Sequence, residues 1–258
     1  MNQSVIKALQ LLDYFKEYPE LTLAEIAELD NMPKPTAYRL ISSLEASGFL
    51  VKTKHTTHDV KYHMGLKLLE LGSYVADQLD YRRIALPHMK DLSEQLNEAV
   101  HLAVLDGEEA IYVEKIESKK HIRLYSKVGG RTPLYTGSGP KLLFAYLNPE
   151  VIEEILQRIE LKKITDNTIT DKETLSKELE KIRLQGYSHS KAEFYPDTAG
   201  FSFPIMNHHG QVIAALVVSI PIIKVEEGTE EFIIEKMRET SANISRDLGF
   251  RGGDKNFI

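Results

Sequence analysis

Apolar positions in the first 64 residues follow the spacing of three short helices and a hairpin. Ala37, Leu40, Ile41 and Leu44 recur at i, i+3, i+4 and i+7, so they share one buried stripe, and Pro35, Tyr38, Arg39 and Ser42 fall on the opposite side. Pro33 and Pro35 set the start of this helix, because a proline in the first turn loses no hydrogen bond the helix would have made; Gly48 closes the far end. Upstream, Thr22-Leu23-Ala24-Glu25 is a capping box for a shorter helix with Leu23, Ile26 and Ala27 inward. Only Asp30-Asn31-Met32-Pro33 separates the two helices, a tight corner. A first helix capped by Ser4 is expected to turn Val5, Leu9 and Leu12 inward, with Ala8 and Phe15 beside them, and to end at Pro19. Residues 49–54 and 60–64 then read as the two strands of a hairpin.

This order is that of a winged helix-turn-helix, in which the third helix lies in the DNA major groove with its first residues on base edges. Thr22, Lys34, Pro35, Thr36, Tyr38, Arg39 and Ser42 are the candidates for contact with double-stranded DNA, with Lys52, Lys54 and Lys61 on flanking phosphates. Residues 65–79 are apolar on more than one side, as expected of a helix that packs on its own domain and on a second subunit. A symmetric dimer presents two such heads to a palindromic operator.

Beyond residue 80 the periodicity changes. A helix over 83–97 precedes two apolar runs, 99–105 and 110–116, that meet at Asp106-Gly107, a hairpin signal, and a third strand is expected over 121–126. The Gly-rich stretch around Gly137-Ser138-Gly139-Pro140-Lys141 then opens a helix, and amides freed of side chains at a helix start can seat a carboxylate or phosphate. It is neither a P-loop nor a nucleophile elbow, since Pro140 precedes Lys141, Leu142 follows it, and Gly-x-Ser-x-Gly is absent around Ser138. Residues 149–186 are helical and polar, 212–219 form a buried strand, and a last helix from Thr229 turns Ile233, Met237, Thr240 and Ile244 to one side. The tail 251–258 is expected to fray.

Charge sharpens the picture at the head. The chain of 258 residues carries a net −6, yet between residues 30 and 64 Lys34, Arg39, Lys52, Lys54 and Lys61 outnumber Asp30, Glu45 and Asp59. Cysteine is absent, which removes disulfides and thiol chemistry. His208-His209 is a poor metal site, because neighbours in a turn point apart and no third ligand is near in sequence. No cofactor is expected. No run reaches the length of a membrane span and no signal pattern opens the chain, so a cytoplasmic protein is expected.

The stretch Pro-Lys-Pro-Thr-Ala-Tyr-Arg-Leu from Pro33, together with Lys61-Tyr62-His63-Met64-Gly65 leaving the wing, resembles the IclR family of bacterial transcriptional regulators. The family's pocket segment is matched at Gly130, Pro133, Leu134, Lys141 and Ala145, and departed from at Tyr135 and Pro140. The resemblance implies an α+β protein: a winged helix-turn-helix over 1–64, a linker helix over 65–80, and a GAF-like domain with a mostly antiparallel sheet over 81–250 that binds a small organic acid. It places Leu124, Tyr135, Ser138, Gly139, Ser190, Glu193, Gly200, Val217 and Ser219 around that effector. Ser190 and Gly200 stand where the family pattern has an acidic residue and a cysteine, so a less polar effector than a short keto acid is expected, such as an aromatic or longer-chain acid. Repression is the commoner action implied, by a homodimer or homotetramer. Two other classes stay open on residues alone: a DNA-binding protein whose second domain only oligomerises, and an enzyme using loop 137–141, although no nucleophile, paired base, metal set or phosphate loop is recognisable.

Overall fold

The computed structural model describes residues 2–54, 60–118, 127–225 and 228–252. The chain divides into two compact units, Met1–Gln78 and Leu79–Ile258.

In the first unit the helices are α1 (Gln3–Tyr14), α2 (Leu23–Leu29), α3 (Lys34–Ala46) and α4 (Lys67–Asp77). Strands β1 (Leu21–Thr22), β2 (Leu50–Lys54) and β3 (Val60–Met64) form a small antiparallel sheet in the order β1-β3-β2. The capping box at α2 is complete: Thr22 Oγ accepts the Glu25 N–H at 3.3 Å, and the Glu25 carboxylate takes the Thr22 N–H at 2.7 Å. The four stripe residues of α3 are buried against Leu11, Phe15, Ile26 and Tyr62. Pro33 caps that helix in extended conformation and Pro35 lies in its first turn.

The first helix departs from expectation. Asn2, not Ser4, is its cap, with Oδ1 accepting the Ser4 N–H at 3.1 Å, and it ends at Tyr14, well before Pro19. Its inward face is Ala8, Leu11 and Phe15, while Val5 and Leu9 are half exposed. Both faces carry apolar residues, so spacing alone did not select the buried one. A close backbone approach fixes the end of the hairpin: Gly65 N–H donates to Phe49 O at 2.8 Å, and a Cβ on Gly65 would stand 2.1 Å from Gly48 O. Beyond it, Leu66 and, on α4, Leu69, Tyr74 and Val75 are largely uncovered within this unit.

Among the described residues the second unit is built on a six-stranded sheet, antiparallel throughout, in the order β6-β5-β4-β9-β8-β7. Its strands are β4 (Ala99–Asp106), β5 (Glu109–Ile116), β6 (Arg131–Pro133), β7 (Ser188–Lys191), β8 (Thr198–Met206) and β9 (Val212–Pro221). The turn at Asp106-Gly107 forms as expected, with Gly107 at φ 64°. The strand expected over 121–126, and Leu124 with it, lies outside the described residues, as does the tail from 253.

Alternation along the strands divides the unit into two cores. Val100, Leu102, Leu216 and Val218 face α5 (Asp80–Leu96) and α9 (Thr229–Asp247). Ala103, Ala215 and Val217 face α6 (Ser138–Ala145), with α7 (Pro149–Arg158) and α8 (Lys172–Gln185) completing that side. On α9 the buried residues are Ile233, Met237, Ser241, Ile244 and Ser245; Thr240 is only partly covered, and Ser241 Oγ donates to Pro204 O at 2.6 Å.

Candidate DNA-reading face and effector cavity

The exposed side of α3 holds the residues expected to meet DNA. Lys34, Pro35, Tyr38 and Arg39 are exposed and Thr36 and Ser42 are half-buried, over a stripe of four buried residues that leaves the helix no freedom to roll. Thr22 is committed elsewhere, since its hydroxyl donates to Glu25 Oε2 at 2.8 Å within the capping box. The hairpin separates Lys52 from Lys61. Lys52 is paired with Tyr62 and shares its face, while Lys61, paired with Thr53 and Thr22, falls on the other and binds Glu20 at 3.4 Å. The side chain of Lys54 lies outside the described residues.

In the second unit a cavity opens between the start of α6, the turn after β7 and strands β8 and β9. Among the expected residues, Ser138, Ser190, Glu193, Gly200, Val217 and Ser219 line it. Two do not. Tyr135 is buried in the α6–α8 core, its hydroxyl donating to Lys162 O at 3.2 Å. Gly139 is a packing position: a Cβ there would meet Val217 Cγ2 at 2.8 Å, so its lack of side chain lets α6 sit close on the sheet. Gly200 serves a similar purpose, with Ser138 Oγ and Ser190 Oγ 2.6 and 3.0 Å from where its Cβ would be.

The sequence pattern did not single out Tyr112, Thr132, Phe194, Tyr195 and Thr198, which complete the lining. Tyr112 and Thr132 come from β5 and β6, so only strand pairing could bring them here. Burial, with the Tyr195 ring nearby, pushes the Tyr112 hydroxyl up to about 12, so it keeps its proton. His101, buried edge-on to Tyr112 at 5.4 Å between ring centres, is driven down to about 3 by burial and by Lys115, and stays neutral. Seven hydroxyl-bearing side chains and one carboxylate line the cavity. It leaves about 40 Å³ for the centre of a water-sized sphere.

That carboxylate belongs to Glu193, which is 8% exposed and doubly held. Oε2 accepts the Gly137 N–H at the start of α6 at 3.0 Å, and Oε1 accepts from Lys141 Nζ at 2.6 Å. Lys141 is itself 1% exposed, and its Nζ also donates to Glu178 Oε1 at 3.3 Å and His189 O at 3.4 Å. Burial pushes the Glu193 carboxyl above the usual carboxylate range, against the pull of Lys141 and the Gly137 N–H. Ser202 Oγ donates to Ser138 Oγ at 2.8 Å, so the serine of the Gly-rich loop is bonded to a second hydroxyl rather than to a base.

Two family models divide the chain much as the fold does. Residues 4–54 match the IclR helix-turn-helix domain, and residues 73–246 match the C-terminal domain of bacterial IclR transcriptional regulators. The chain belongs to the IclR family. It is 39% identical over 249 residues to the HTH-type transcriptional regulator KipR of Bacillus subtilis, covering 96% of this chain and 98% of that one. The crystal structure of Thermotoga maritima IclR superposes with a TM-score of 0.79 at 33% identity, over 97% of this chain and 100% of that one. An IclR homologue from Microbacterium hydrocarbonoxydans, solved in complex with 4-hydroxybenzoate, gives a TM-score of 0.80 at 28% identity, over 95% of this chain and 97% of that one. As an IclR-family member the protein is a DNA-binding transcriptional regulator with an α+β fold, and no described helix is long and apolar enough to cross a membrane.

Proposed function

We propose that this regulator is a cytoplasmic repressor that binds a palindromic operator as a homo-oligomer and answers to a small organic acid held in the cavity at the start of α6. The observation that carries the effector reading is the cavity itself, a concave site of polar groups converging on a helix start, where the first amides lack acceptors within the helix. The complex of the Microbacterium hydrocarbonoxydans homologue with 4-hydroxybenzoate supports a small acid as ligand in a related chain. On the DNA side, Arg39 and Tyr38 meet base edges, Lys34 and Lys52 meet phosphates, and Lys61 contributes less because Glu20 already neutralises it. The uncovered apolar residues of α4 support association with a second copy, which would place two reading helices on two half-sites.

The deciding experiment is binding of the purified protein to labelled DNA from upstream of its own gene, at two salt concentrations, with unrelated DNA as competitor and with a panel of organic acids. Tight, salt-sensitive binding that survives the competitor and is weakened by one acid supports the proposal. Operator binding that no acid alters, together with no thermal shift by any acid, refutes the effector reading and leaves a DNA-binding protein whose second domain oligomerises.

A further inference from the structure

Resting on the reading of the cavity as the effector site, we infer that Glu193 makes it selective for a hydroxy acid over the oxo acid of the same size. An ionised carboxylate accepts hydrogen bonds and donates none, with about four lone-pair positions. The two protein bonds, from Gly137 N–H and Lys141 Nζ, occupy one position on each oxygen of Glu193. The remaining capacity belongs to a residue that lines the cavity and is almost wholly cut off from bulk water.

A ligand atom that reaches this oxygen pair must therefore bring a hydrogen. A hydroxyl does so, whereas a carbonyl oxygen brings lone pairs against lone pairs and leaves a buried charged acceptor unmet. A site built to bond a ligand hydroxyl rejects the analogue that lacks it far more strongly than a hydrophobic pocket rejects an extra methylene. The other polar groups do not discriminate in this way. The seven hydroxyls of the described lining, those of Ser138, Tyr112 and Tyr195 included, turn to donate or accept, so they serve a carboxylate or a hydroxyl equally. Selectivity between hydroxyl and oxo thus falls to Glu193 alone among the described lining residues.

Lactate and pyruvate differ at the atom in question and match in size, so they are the probes. Calorimetric titration of the full-length protein at pH 8 with each enantiomer of lactate and with pyruvate is expected to show one lactate binding about tenfold or more tightly than pyruvate. In Glu193→Gln, whose amide can donate as well as accept, the ratio is expected to collapse toward one. Pyruvate binding as tightly as lactate to the wild-type protein overturns the inference and leaves the effector reading standing. A ratio that persists in a folded Glu193→Gln protein, judged by its operator binding and circular dichroism, overturns the role given to Glu193. If that variant does not fold, the wild-type ratio decides. No binding of either acid at millimolar concentration overturns the inference, and a full organic-acid panel that also fails removes the effector reading with it.

Discussion

Lys141→Met tests how the start of α6 is held together. The substitution keeps an unbranched stem in the core between α6 and α8 but removes the ammonium that lies 2.6 Å from Glu193 Oε1 in a site where the lysine is 1% exposed. Glu178, the lysine's other acidic partner, is 22% exposed at its side chain and can be rehydrated, so the damage falls on Glu193. Leaving one member of a buried pair unmatched costs about 3–5 kcal/mol. For a unit of this size that is a loss of roughly 6–20 °C in melting temperature. The pH dependence has a definite sign. Because the folded Glu193 carboxyl already lies above its ordinary value, its contribution to stability is fully present below the unfolded value and is lost as pH rises through the folded one. Removing the lysine raises the folded value further, so the deficit of the variant should be widest near about pH 8 and should shrink toward about pH 5. Thermal melts across that range measure it. The double variant Lys141→Met/Glu193→Gln, which keeps an acceptor for the Gly137 N–H without a charge, should recover most of the loss. A single variant that melts within about 2 °C of wild type, or a deficit that does not shrink in acid, would refute the reasoning.

Three further outcomes are expected. Arg39→Ala should weaken operator binding by about 1–3 kcal/mol and relax preference at one base pair; unchanged affinity and preference in a titration against single-base variants remove Arg39 from the reading face. Thr22→Ala strips the capping box at α2 and should lower the stability of the DNA-binding unit by about 1 kcal/mol in urea unfolding, with no change at Glu193 or the cavity. Leu69→Glu places a charge on the uncovered side of α4 and should shift the protein toward monomer in sedimentation velocity while weakening operator binding; an unchanged oligomer would move the interface elsewhere.

What could be read before the structure was whatever local chemistry decides. The stripe of α3 was legible because Ala37, Leu40, Ile41 and Leu44 are the apolar residues at helical spacing there, and the box at Thr22 because its two partners are three residues apart. On α1 the same reasoning failed, because Val5 and Leu9 compete with Ala8 and Leu11 for the inward side and only packing against α3 resolves it. The cavity was half legible. Ser138, Ser190, Glu193, Gly200, Val217 and Ser219, grouped through resemblance, line one cavity, yet nothing local marks Lys141 as buried. A lysine goes inside only when a charge elsewhere matches it, and its match, Glu193, lies 52 residues on. Gly139 was noted for its amide, whereas its close approach to Val217 depends on how near a helix and a sheet come and has no local signal.

The approach of Gly65 to Gly48 has an engineering consequence. The carbonyl that Gly65 crowds belongs to the residue that ends α3, and the Gly65 N–H is spent on the residue after it, so the reading helix and the root of α4 are keyed together like a bit and its shank. Turning the shank turns the bit. A transplanted sensor should therefore be spliced beyond Gln78, with α4 kept whole, whereas a joint cut at Gly65 would sever the key.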